Sequence, residues 1–137
     1  MKKIALIFAM LLALALTACA GRSTAAKGGV QSVVMTDVWP VNDYTKGLPV
    51  PPGTVTWTLL DAARGICGVS LTDVSESGCR DYMAALKQAG FFAVAAVSEA
   101  RNGQNDVSAG ALLSNGEKEL SVSYIPGQIT ISISMEK

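Results

Sequence analysis

Lys118-Glu119-Leu120-Ser121-Val122-Ser123-Tyr124-Ile125-Pro126-Gly127-Gln128-Ile129-Thr130-Ile131-Ser132-Ile133-Ser134-Met135 is the stretch that decides the fold. Its first half sets Leu120, Val122 and Tyr124 against Glu119, Ser121 and Ser123. Its second half sets Ile129, Ile131, Ile133 and Met135 against Thr130, Ser132 and Ser134. A period of two over this length marks strands with one face on a core and the other toward water. Pro126-Gly127 is the turn between them, so the two halves pair antiparallel.

The same pattern extends upstream. Asn115-Gly116 is a type I′ hairpin signal, and Val107 to Leu113 is the strand before it. Arg101 to Asp106 is a polar loop, preceded by a continuous apolar strand from Phe91 to Ser98. Between Ser75 or Ser77, either of which can cap, and Ala89, the apolar positions Cys79, Tyr82, Met83 and Leu86 fall at helical spacing. Gly90 supplies the stop. Thr54 to Leu60 alternates Val55, Trp57 and Leu59 against three threonines, and Asp61 to Gly65 is a turn. Ile66 to Val74 is a second strand, with Cys67, Val69 and Leu71 on one face. The expected domain is α+β: an antiparallel sheet of about six strands in ββαββββ order, with one helix on one face. Four of the five prolines fall between Trp39 and Gly53, so that segment is extended and irregular, pegged to the body by Trp39 and Leu48. Val30 to Val38 is either a first short strand or a tether packed on the domain.

The N-terminus has a different character. Lys2 and Lys3 precede an apolar run of 13 residues, Ile4 to Leu16, and then Thr17-Ala18-Cys19. The run is shorter than the roughly 20 residues of a spanning helix and has the layout of a signal peptide. Leu16-Thr17-Ala18-Cys19 resembles the lipobox of a bacterial lipoprotein. That resemblance implies cleavage before Cys19, acylation of its sulfur, and anchoring by two or more chains, each methylene contributing about 0.8 kcal/mol. The expected organisation is signal peptide at 1–18, lipidated N-terminus and tether at 19–38, and one α+β domain at 39–137. The expected location is the cell membrane or outer membrane, facing away from the cytoplasm.

Composition narrows the chemistry. The chain carries 11 Lys and Arg against 11 Asp and Glu. Loss of Lys2 and Lys3 on cleavage leaves nine against 11, a net of about −2 by count. No nucleic-acid partner is expected of so balanced a surface. There is no histidine, which removes the commonest general base and metal ligand.

The domain also resembles a family of small bacterial lipoproteins, mostly from Gram-positive anaerobes, with no assigned function. The resemblance is carried by Trp39-Pro40, Leu48-Pro49 and Pro51, Asp81-Tyr82 opening the helix, Gly90-Phe91 after it, and Asn115-Gly116 before the strand ending at Tyr124. It spans Trp39 to Ile133. Two features depart from it: the short alanine-rich tether and the Cys67, Cys79 pair. The resemblance implies a fold and a location, and brings no catalytic residues.

Among candidate sites, Cys67 and Cys79 stand out. One lies on the core face of a strand and the other on the core face of the covering helix, so both sulfurs fall between the same two layers. A disulfide closing that loop, worth about 3 kcal/mol, is preferred over two separately buried thiols. A catalytic thiol lacks a histidine partner, and two cysteines do not make a zinc set. Glu117 and Glu119 flank Lys118 at a turn and read as a solvated edge. Trp57 and Tyr124 are either core or an exposed aromatic platform, and their alternation favours core. The expected function is a non-enzymatic binding or structural module without cofactor. Its partners are the membrane, through acylated Cys19, and an unidentified envelope protein or glycan. The alternative is an envelope inhibitor of a lytic enzyme or protease, acting through a loop such as Glu99 to Asp106.

Overall fold

The computed structural model describes residues 31–95 and 97–137. The signal peptide at 1–18, Cys19 and the tether as far as Val30 lie outside the described residues. The strands are β1 (Gln31–Met35), β2 (Thr54–Asp61), β3 (Ile66–Val74), β4 (Phe92–Ala93), β5 (Ser98–Arg101), β6 (Val107–Ser114), β7 (Lys118–Ile125) and β8 (Gly127–Met135). The helix α1 (Glu76–Gln88) follows β3. All eight strands join one sheet in the order β1-β2-β3-β8-β7-β6-β4, with β5 also on β6, and every pairing is antiparallel.

Among the described residues, the antiparallel α+β architecture with one helix is as the sequence suggests. The expected six strands in ββαββββ order are corrected to eight in βββαβββββ order. One added strand is β1, which pairs with β2 from Gln31↔Asp61 to Met35↔Trp57, so the sheet reaches into the segment assigned to the tether. The other arises because Phe91 to Ser98 is not a continuous strand. β4 pairs at Ala93↔Leu113 and β5 resumes at Ser98↔Gly110. That is five steps on this strand against three on β6, and the two surplus residues push the chain off the ladder.

The core lies on one face of the sheet. Leu113, Leu120, Ile133 and Cys67 form one cross-strand row, and Tyr124, Ile129, Leu71 and Val55 form another. Trp57 and Leu59 are not part of it. A bulge between Val55 and Trp57 shifts the β2 register, so Val55 opposes Leu71 while Trp57 and Leu59 oppose Ser70 and Gly68 on the other face. A one-residue slip moves every following side chain across the sheet. Gly68 leaves room for them: a Cβ there would stand 3.4 Å from Trp57 Cζ3 and 3.5 Å from Leu59 Cβ. The Ser/Thr face is thus wet at Ser121 and Ser123, while Ser70 is fully buried and takes a 3.0 Å hydrogen bond from Gln128 Nε2.

α1 has well-formed ends. Ser75 Oγ accepts from Gly78 N at 3.0 Å, the N-cap bond. At the other end Phe91 N donates to Leu86 O and Gly90 N to Lys87 O, with Gly90 at φ +93, which is a Schellman stop. Cys79, Tyr82 and Leu86 face the core. Beside the helix, the proline-rich segment is irregular as expected, with Leu48 buried and Trp39 half-buried against the core. Lys118 Nζ donates to the Lys46 carbonyl and fastens this segment to β7. The Asn115-Gly116 turn forms, but not as type I′: only Gly116 has positive φ, and Asn115 Oδ1 instead accepts from Glu117 N and Lys118 N. Among the described residues the core runs from Leu48 to Ile133.

Candidate functional site

The widening between β4 and β5 has a consequence for the surface. Because the edge chain swings away from β6 there, it leaves a groove of about 380 Å³ between itself and α1. Val107, Ala109, Leu113 and Tyr124 form its floor, Cys79, Met83 and Ala84 its helix wall, and Ala93 and Val97 its edge wall. The small side chains of Ala84, Ala93 and Ala109 leave the space between helix, edge and floor unfilled. An alanine leaves several carbons' worth of space unfilled where a leucine would interdigitate.

The two mouths differ in charge. At the helix N-terminal end, Arg80 Nη2 lies 2.8 Å from Glu76 Oε1 and 3.5 Å from Glu99 Oε2. Arg101 Nη2 lies 3.4 Å from both Glu76 Oε1 and Glu99 Oε1. Two cations and two anions therefore neutralise one another and tie the first turn of α1 to β5. The hydrogen bond from Arg80 is the main cause holding the Glu76 carboxyl below its usual range, and Glu76 in turn raises Arg80. Such exposed pairs add little stability singly; their use here is positional. At the other mouth stands Lys87, for which no ion pair is found among the described residues.

The cysteines are not brought together. Both are buried free thiols. Cys67 lies in the Leu120–Ile133 row, where Asn42 Nδ2 donates to its sulfur at 3.7 Å. Cys79 sits in the first turn of α1 and lines the groove. No disulfide joins the two, against the expected pairing. Burial pushes both thiols above their usual range, which suppresses the reactive thiolate.

Other residues singled out from sequence separate cleanly. Tyr124 is core, whereas Trp57 is half-buried on the opposite face beside the exposed Val33 and Met35. Glu117 is exposed at the turn and Glu119 is half-buried opposite Ser134. The Glu99 to Asp106 loop is exposed and internally stitched, Asn102 Oδ1 accepting from Gln104 N and Asp106 N at 2.9 Å each. Among the described residues there is no cluster of metal-binding type and no helix long and apolar enough to cross a membrane. The Tyr82 hydroxyl, in the core, has no hydrogen-bond partner among the described residues, and burial pushes its pKa up. The groove itself was missed by sequence reasoning. Its only local trace is the alanine-rich composition of Ala84-Ala85 and of 93–96.

Comparison of the chain with known protein families, with curated proteins and with solved structures finds no match.

Proposed function

We propose that this chain is a lipid-anchored protein of the cell envelope whose domain acts by binding, not catalysis, and that the groove between α1 and the β4–β5 edge is the contact site. The observation that carries the reading is the groove's composition. Between its two charged mouths the lining is apolar, and the carboxylates at its rim are already engaged by Arg80 and Arg101. A hydrolytic site needs a base free to take a proton, and Glu76, held deprotonated by its arginines, is a poor one. The anchor is supported by the lysines, apolar run and Cys19 of the N-terminal segment.

The test is capture from envelope extract by residues 31–137 and by the same domain carrying Ala84→Trp, which fills the groove from an exposed helix position. Capture by the first and not the second supports the reading. Capture by both equally, or turnover of a wall-derived or peptide substrate abolished by one Asp or Glu substitution, refutes it. The second reading, an inhibitor, is favoured by the Asn102-stitched loop, since a preorganised loop loses little entropy on docking. Under that reading Asn102→Ala weakens capture and Ala84→Trp does not.

A further inference from the structure

We propose that the occupant of this groove is a single straight-chain fatty acid, unesterified, with its carboxylate at Lys87 and its alkyl chain lying along α1 toward Arg80. The inference rests on the groove being the binding site and adds the chemistry of what it holds.

Three observations converge on that class. First, the side chains between the two mouths supply carbon and sulfur surface, Met83, Val97, Ala109 and Leu113 among them. A peptide laid there would leave amides without partners, which is costly, whereas an alkyl chain has none to satisfy. Second, the dimensions suit one chain. From Glu76 to Lys87 the helix wall is 11 residues long, about 16 Å at 1.5 Å per residue. A methylene is about the size of a water molecule, roughly 30 Å³, so 380 Å³ holds about a dozen carbons. Third, the charges are asymmetric. Glu76, Arg80, Glu99 and Arg101 sum to zero at one mouth, while Lys87 stands without an ion pair among the described residues at the other. A ligand with one negative end and one apolar end matches that asymmetry; a neutral or doubly charged one does not.

The test uses the full chain, titrated calorimetrically with dodecanoate, octanoate and dodecyltrimethylammonium. Full burial of a methylene is worth about fourfold in affinity, and in a groove open along one side about half of that free energy, or twofold, is realised. Dodecanoate is therefore expected to bind about 15-fold tighter than octanoate, four methylenes shorter. Lys87→Glu, at an exposed position, should invert the preference from dodecanoate to dodecyltrimethylammonium, and Ala84→Trp should abolish both. The proposal is overturned if no saturable binding occurs, if Ala84→Trp leaves it unchanged, or if Lys87→Glu does not alter the headgroup preference. Should the fatty acid fail while Ala84→Trp still blocks capture of an envelope partner, the groove stands as a site and only its assigned occupant falls. Failure of both removes the groove.

Discussion

Replacing Gly53 by alanine strikes the junction that sets where α1 begins. Gly53 ends the proline-rich segment at φ +102, and an added Cβ would stand 2.4 Å from the Thr72 carbonyl oxygen and 2.7 Å from Val74 Cγ2. Both neighbours belong to β3 at its register shift, where Asp73 adopts φ +60, two residues before the Ser75 cap. The φ alone costs an alanine about 1–3 kcal/mol. The clash is with backbone and with a buried valine, so relief requires moving β3, for a further 1–3 kcal/mol or so. Gly116→Ala is the control, because Gly116 has a similar φ of +85 and open space around its Cα. Urea denaturation of residues 31–137 should therefore find Gly53→Ala less stable than Gly116→Ala by about 2 kcal/mol, near 8 °C in Tm for a domain of this size. Equal losses within about 0.5 kcal/mol would refute the close approach of the proline-rich segment to β3, and with it the seating of α1.

Other expectations are simpler. Alkylation under denaturing conditions, without prior reductant, should label both Cys67 and Cys79, and native protein should react slowly at neutral pH because both thiols are held protonated; a domain resistant until reduced contradicts the free-thiol state. Leu86→Ala, at a fully buried helix position, should cost about 2–5 kcal/mol in urea denaturation. Tyr82→Phe should be neutral or stabilising by up to about 1 kcal/mol, since the hydroxyl it removes has no partner among the described residues; a loss above 1 kcal/mol means that a partner exists. Glu76 has a folded pKa below its ordinary 4.5, so whatever its ion pairs contribute is fully present above that pH and is lost as pH falls through the folded value. Carboxyl NMR titration should find Glu76 titrating below the ordinary glutamate value, and Arg80→Ala should raise it toward that value.

Much of the fold was legible in the chain because its signals are local. The alternation in β7 and β8, Pro126-Gly127 between them, the Ser75 cap and the Gly90 stop each act within a few residues, and each appears where the spacing puts it. What escaped depends on partners distant in sequence. Nothing around Thr56 announces the bulge that sends Trp57 and Leu59 to the opposite face; the glycine that accommodates them is Gly68, on the neighbouring strand. Phe91 to Ser98 has the composition of a strand, yet its ladder breaks because it must match both ends of β6 with two residues to spare. The free Cys67 and Cys79 show the same limit: spacing places each residue on a face, but does not say which residue of another element lies beside it. The groove is a product of that broken ladder and an overlying helix, so no single segment encodes it.

The central claim is that the groove beside α1 is where this domain meets its ligand. Its sharpest rival is an exposed apolar area formed by Val33, Val34 and Met35 on β1 with Val38 and Val41. Shift mapping of isotope-labelled residues 31–137 during titration with dodecanoate separates the two directly. The account predicts saturable changes at Met83, Ala84, Lys87, Val97, Ala109 and Leu113, with β1 unmoved. Changes confined to β1 and Trp57, or none that saturate, would contradict it.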